Sequence, residues 1–352
     1  MNPLFQRLMK SATDLTRQGD LQGATAAIQA ALGQFGQAEP AAAPADAHDV
    51  IDVEARERPA AVESEPAAAP ATPAEGRFVA GHHAGKTGSR DYKLYIPPQA
   101  SAGKALPLVV MLHGCTQDPD DFAAGTGMNE AARTRGFYVL YPAQSPQANP
   151  QRCWNWFKHS NQQRGRGEPA LLAGMTQAVI AQYAIDPERV FVAGLSAGGA
   201  MAAIMGETYP DIYAAVGVHS GLAAGAGTDL TSALAAMKAG APAPRAEPSG
   251  VPTIVFHGDA DATVHPGNGG HVVVAAAGAG AAQSNEACVP GGRRYTRHVY
   301  RAANGAPVEH WVVHGSAHAW SGGSAKGSHT DGQGPDATQQ MVRFFWEAAA
   351  SR

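Results

Sequence analysis

The sequence predicts an α/β fold, a mostly parallel sheet with helices on both faces. Two observations carry this. Short apolar, β-rich runs recur along the chain ("LPLVVMLHG", "FYVLYP", "RVFVAG", "AAVGVHS", "PTIVFHG"), each ending in turn residues as buried strands do. Helical stretches separate them, among them "EPALLAGMTQAVIAQYA" and the alanine-rich run after Ser196, and that alternation implies parallel strands with crossover helices. At 352 residues and 44% hydrophobic, the chain can bury a substantial core.

In chain order, residues 1–33 read as an amphipathic helical segment, either a helical hairpin or one long helix. Leu4, Phe5, Leu8 and Met9 form one apolar stripe, and Leu21, Ala24, Ile28 and Leu32 form another, with Gly19 between them. Residues 34–76 turn to Ala, Pro and Glu with almost no aromatics, a composition that predicts a disordered linker. Residues 77–352 read as one domain. "RDYKLYIPP" predicts an early antiparallel strand. "YTRHVYRA" and "VEHWVVHG" predict two later strands, and "DATQQMVRFFWEAAA" a closing helix.

A net charge of −4 argues against nucleic acid as the main partner. No stretch approaches the roughly 18 apolar residues of a membrane span, and the N-terminus shows no unbroken apolar signal region. The default expectation is therefore a cytoplasmic protein. Fourteen histidines invite a metal reading, but His82, His83, His257 and His265 lack ligand spacing, so neither metal nor cofactor is expected.

In such sheets the chemistry sits just after the carboxyl ends of strands. Gly194-Leu195-Ser196-Ala197-Gly198 matches G-x-S-x-G between a predicted strand and a predicted helix, the context that motif requires. The glycines clear the turn, the serine hydroxyl is exposed, and the Ala197 amide is free to donate to an oxyanion. A serine nucleophile needs a base and a carboxylate, expected in the order Ser, Asp, His. After "PTIVFHG" come Asp259 and Asp261. Asp259 reads as bonding its own loop, and Asp261 is preferred because the T-V-x-P turn after it is similar to the acid loop of esterases. "VEHWVVHGSAHAWSGG" offers His310 inside a strand, His314 at its last position and His318 in the loop beyond, which is the preferred base. The second oxyanion donor is expected after "LPLVVMLHG": the Cys115 amide, with Thr116 as the alternative and His113 structural.

"HGCTQ", "CWNWF", "GLSAGGAMA", "HGDADATVHPGN" and "HAWSGG", in this order, resemble the polyhydroxybutyrate depolymerase family, which includes feruloyl and acetylxylan esterases. The resemblance covers roughly residues 77–350. It implies an α/β-hydrolase fold, Ser196 as nucleophile, Asp261 as acid, His318 as base, and Cys115 at the oxyanion hole. The expected substrate is poly(3-hydroxybutyrate) or its oligomers. The alternatives are a feruloyl or acetylxylan ester, or a non-catalytic protein that holds a granule surface through its N-terminal helix. Trp154, Trp156 and Trp320 are expected to form an apolar wall beside the nucleophile, with Trp154 and Trp320 favoured over Trp156. Cys115 and Cys153 both fall in motif loops and are expected to be able to pair. Such a bond is disfavoured in a reducing cytoplasm, and it would leave Cys288 free.

Overall fold

The computed structural model describes residues 75–242 and 247–351. The expected helical segment 1–33 and all but the last two residues of the expected linker lie outside the described residues.

The elements run β1 (Arg77–Gly85), β2 (Gly88–Ile96), β3 (Leu106–Leu112), α1 (Pro119–Thr126), α2 (Met128–Arg135), β4 (Tyr138–Pro142), α3 (Gly167–Gln182), β5 (Ile185–Leu195), α4 (Ala197–Thr208) and β6 (Ala215–His219). There follow α5 (Leu230–Ala239), β7 (Thr253–Gly258), α6 (Gly267–Ala277), β8 (Gln283–Cys288), β9 (Arg294–Arg301), β10 (Pro307–Val313), the short β11 (Trp320–Ser321) and β12 (Thr330–Asp331), and α7 (Ala337–Ala350). Ten strands form one sheet in the order β1-β2-β4-β3-β5-β6-β7-β10-β9-β8. The run from β4 to β10 is parallel, and antiparallel strands extend it at both edges.

The continuous apolar runs are explained by burial on two faces. Along β3, Leu108, Val110 and Leu112 pack into one core layer, while Val109 and Met111 face the other. Along β5, Val190 and Val192 alternate with Phe191 and Ala193 in the same way. The first layer takes side chains from α3 and α4, such as Leu172, Met175 and Met201. The second takes Phe122 and Met128 from α1 and α2, with Phe344 and Phe345 from α7. A strand buried on both sides has no polar face to alternate, which is why it reads as an unbroken apolar run.

Helix starts follow local chemistry. Asp118 caps α1 by accepting from the Asp120 and Asp121 amides, with Pro119 at the first helical position. Asp229 and Ser232 form a reciprocal capping box on α5. Two edge strands, β1 and β8, were not expected. β8 ("QSNEAC") is almost entirely exposed, so its pairing with β9 leaves no apolar period in the sequence.

Candidate active site

Ser196 lies between β5 and α4 with φ 58° and ψ −120°, a conformation that L-residues adopt only under constraint. Two flanking glycines make the turn possible. A Cβ on Gly194 would lie 2.4 Å from the Gly198 carbonyl group, and one on Gly198 would lie 2.0 Å from the Leu112 carbonyl oxygen. The Ser196 amide donates to the His219 carbonyl at 2.9 Å, fixing the elbow to the end of β6.

The loop after β3 approaches the same place. His113 is buried; its Nε2 accepts from the Gln144 amide at 3.1 Å, so Nδ1 carries the proton and donates to the Gly114 carbonyl at 2.7 Å. Burial pushes its pKa down to about 4, so it is a neutral structural group. Of the loop amides, Gly114 donates to Gln117 Oε1 at 2.9 Å and Thr116 donates to the Gln151 carbonyl at 2.7 Å. The Cys115 amide has no partner among the described residues. That separates the two candidate oxyanion donors: Thr116 is spoken for and Cys115 is free. The Ala197 amide, as the first of α4, has no carbonyl partner within its helix. Cys115 and Cys153 form a disulfide that ties this loop to the segment carrying Trp156.

The carboxylate and the imidazole come from the loops that follow two adjacent parallel strands, β7 and β10. His318 Nδ1 donates to Asp261 Oδ2 at 2.7 Å. The other oxygen, Oδ1, accepts from the Thr263 and Val264 amides at 2.9 and 2.8 Å. Burial opposes ionisation of Asp261. Hydrogen bonds from His257 and His318, the charge of His318 and the Val264 amide outweigh that burial, and hold the carboxyl far below the usual range. Nothing in this pair calls for a metal, and among the described residues no cluster of three His, Cys, Asp or Glu side chains is arranged to hold one.

Two further histidines were not assigned a role in the sequence, although "VHS" and "VFHG" place each at a strand end. His219 Nε2 accepts from the Ser321 amide at 2.9 Å, linking the serine elbow to the segment just beyond His318. Burial, then the neighbouring His257 and His318, push its pKa to about 3. His257 Nε2 donates to the Val264 carbonyl at 2.9 Å and lies 3.4 Å from Asp261 Oδ2. Gln144 and Glu168, also unforeseen, form a buried hub. Gln144 Nε2 donates to Glu168 Oε1 at 2.6 Å and to the Cys153 carbonyl at 3.0 Å, while Glu168 accepts from the Asn155 amide at 2.7 Å.

A cleft of about 440 Å³ opens over Ser196 and Ala197, lined by Cys115, Trp156, Leu222 and Met237 among others. The expected tryptophan wall is corrected here. All three rings are buried, at 0%, 4% and 1% exposure for Trp154, Trp156 and Trp320, but of them only Trp156 borders the cleft. Trp320 stands in β11, stacks on His219 at 5.1 Å, meets the edge of Phe122 at 5.6 Å and donates through Nε1 to Thr338 at 3.0 Å. Trp154 lies 5.7 Å from the His113 ring. Both serve as backing to loops of the site. The rim is completed by Leu230 and Leu234 of α5, 58% and 56% exposed.

The sequence and the fold have counterparts among known proteins. The chain is 37% identical over 227 residues to poly(3-hydroxyalkanoate) depolymerase C of Paucimonas lemoignei, covering 60% of this chain and 54% of that one. It is 33% identical to acetylxylan esterase A of Emericella nidulans over 38% of this chain and 43% of that one. The chain thus spans about half the length of the curated relatives it matches, or less. Among solved structures, an acetyl xylan esterase from Aspergillus awamori superposes with a TM-score of 0.60 at 20% identity, covering 76% of this chain and 99% of that one. A ferulic acid esterase superposes with a TM-score of 0.51 at 15% identity, covering 78% and 99%. At such identities the likeness establishes the α/β-hydrolase fold. The family rests on the sequence itself: the Esterase PHB depolymerase model matches residues 90–287, from β2 through the Ser196 elbow and the Asp261 turn, and the chain belongs to that family.

Proposed function

We propose that the protein is a carboxylic ester hydrolase working through an acyl-enzyme on Ser196, with poly(3-hydroxybutyrate) or its oligomers as substrate. The observation that carries this reading is the convergence of a strained serine elbow, a free Cys115 amide and the 2.7 Å Asp261–His318 pair on the carboxyl ends of parallel strands.

Ser196 Oγ attacks the ester carbonyl carbon and gives its proton to His318 Nε2. Asp261, bonded to Nδ1, orients the ring and stabilises the imidazolium. The Cys115 and Ala197 amides take the negative charge that develops on the carbonyl oxygen, each such donor being worth about 10²–10³ in turnover. His318 passes the proton to the departing alkoxide. It then removes a proton from water as the water oxygen attacks the acyl carbon, and returns that proton to Ser196 Oγ as the acyl–Oγ bond breaks, so Ser196 and His318 are regenerated and the acid leaves.

The substrate class is supported by the first relative and by the cleft, which no charged side chain lines among the described residues. Trp156, Phe157 and the two exposed leucines suit the aliphatic body of a hydroxyalkanoate chain. A feruloyl or acetyl ester of a carbohydrate is the second reading, favoured by the acetylxylan esterase relatives.

Ser196→Ala is expected to abolish p-nitrophenyl butyrate hydrolysis with an unchanged thermal melt; residual activity within about tenfold of wild type would sink the mechanism. In parallel assays on amorphous polyhydroxybutyrate, its soluble oligomers, methyl ferulate and acetylated xylan, the highest kcat/KM is expected on a hydroxybutyrate substrate. A preference for methyl ferulate or acetylated xylan would transfer the assignment to the second reading.

A further inference from the structure

The second carboxylate and second histidine of the two site loops, Asp259 and His314, bond to each other. His314 Nδ1 donates to Asp259 Oδ2 at 2.8 Å, and Asp259 Oδ1 accepts from the Gly315 amide at 2.6 Å. With its proton on Nδ1, His314 accepts at Nε2 from the Thr296 hydroxyl, 2.8 Å away on β9. The result is a Thr-His-Asp chain, but the buried Thr296 stands in mid-strand, with no elbow beneath it. A nucleophilic role is therefore ruled out by position.

What the chain does is join loops. Asp259 follows β7 directly and His314 follows β10 directly, so the pair spans the two parallel strands at their ends, and Thr296 adds β9. Beyond those ends the strand ladder stops. Among the described residues, two backbone bonds continue across the gap, Asp259 N to the Val313 carbonyl and Ala260 N to the Ser316 carbonyl, each 3.2 Å. Asp261 is two residues further along one loop and His318 four residues further along the other. A slip between the loops would therefore pass directly into the 2.7 Å contact between them.

We propose that Asp259 and His314 are positioning residues, an outer carboxylate–imidazole pair that sets the register of the inner Asp261–His318 pair. The inference rests on the reading of that inner pair as acid and base. The outer side chains are 42% and 32% exposed. A polar pair so open to water contributes little to global stability, so its removal acts on loop geometry rather than on folding.

The test compares Asp259→Ala with Asp259→Asn in p-nitrophenyl butyrate hydrolysis, with circular-dichroism melts alongside. Asp259→Ala is expected to lower kcat by about tenfold with KM within about twofold, since displacement of a catalytic base costs rate rather than ground-state binding. Asp259→Asn keeps an acceptor for the Gly315 amide. It can also donate to His314 Nδ1 once the ring turns its proton to Nε2 and Thr296, so kcat is expected within about twofold of wild type. Should Asp259→Ala melt early, His314→Ala carries the same expectation. A kcat within about twofold of wild type in the alanine variants overturns the inference, and so does an equal fall in Asp259→Asn. Ser196→Ala and His318→Ala serve as controls. If either stays active, the reading of the inner pair fails; if both are dead while Asp259→Ala is unimpaired, only the positioning role fails.

Discussion

Opening the Cys115–Cys153 disulfide perturbs the loop that carries the Cys115 amide. The two cysteines are 38 residues apart in sequence. Closing a loop of that length restricts the unfolded chain by about 4 kcal/mol in the chain-entropy relation. For a domain of this size that converts to a fall in melting temperature on the order of 10 °C. Activity is expected to suffer as well, because the freed loop carries the Cys115 amide. Its remaining anchors are the 2.7 Å bond from the Thr116 amide to Gln151 and the bond from Gly114 to Gln117. They preserve part of the donor geometry, so kcat is expected to fall by about tenfold rather than by the 10²–10³ of a lost donor. The assay is hydrolysis of p-nitrophenyl butyrate with and without dithiothreitol, together with a Cys115→Ser/Cys153→Ser double variant. Exposed Cys288 is replaced by serine throughout to prevent exchange. A reduced enzyme that melts within about 2 °C of the oxidised one and keeps its kcat would refute the reasoning.

Two further outcomes follow from burial. Trp154→Ala and Trp320→Ala should each cost about 3–5 kcal/mol in urea unfolding, whereas only Trp156→Ala should also raise KM for butyrate esters relative to acetate, by about tenfold; an equal rise in Trp154→Ala would contradict the placement of these rings. Burial pushes His113 to about 4, and His219 and His310 to about 3. For His310 the cause is again burial first, then the neighbouring His257 and His298. Each of these rings stays neutral in the folded protein but takes up a proton below its ordinary value of 6.5 when unfolded. Stability is therefore complete above that value and falls as pH drops towards 4, by on the order of 2 kcal/mol per histidine at pH 5. Urea melts at pH 7 and pH 5 check this, and His310→Phe should lose correspondingly less; an equal loss would show that His310 is protonated in the fold.

Much of the site was legible because its chemistry is local in sequence. The Ser196 elbow needs Gly194 and Gly198 where the structure leaves no room for a Cβ, so the requirement is written within five residues. The choice between Asp259 and Asp261, and among His310, His314 and His318, was harder, because all of them lie within or just after apolar runs. Register between β7 and β10 sorts four of them into two bonded pairs and leaves His310 buried within β10, and register is a non-local quantity. The tryptophans show the opposite limit. A position just after a predicted strand says nothing about depth, and Trp320 is covered by Thr338, 18 residues on, and by Phe122 from the far end of the domain's sequence. Gln144 and Glu168 left no signal for a related reason: a buried amide and carboxylate look like surface residues until their partners are known.

The distribution of backbone strain ties these devices together. Among the described residues, the non-glycine positions with positive φ are Thr116, Arg152, Ser196, Ser220 and His329. Thr116 and Arg152 each adjoin a cysteine of the disulfide, Ser196 is the proposed nucleophile, and Ser220 follows the histidine that holds the elbow. Each such conformation costs on the order of 1–3 kcal/mol and persists only where its surroundings over-determine it. The surroundings here are specific: the disulfide for the loops of Cys115 and Cys153, Gln144 between His113 and Glu168, and His219 between Ser196 and Ser321. Parallel strands end at these points, so no ladder is left to hold the chain, and side chains take over the task. Loss of one fastening lets a strained residue relax towards an ordinary conformation. The sheet beneath stays folded while the amides and the serine lose their common aim, so activity fails before the fold does.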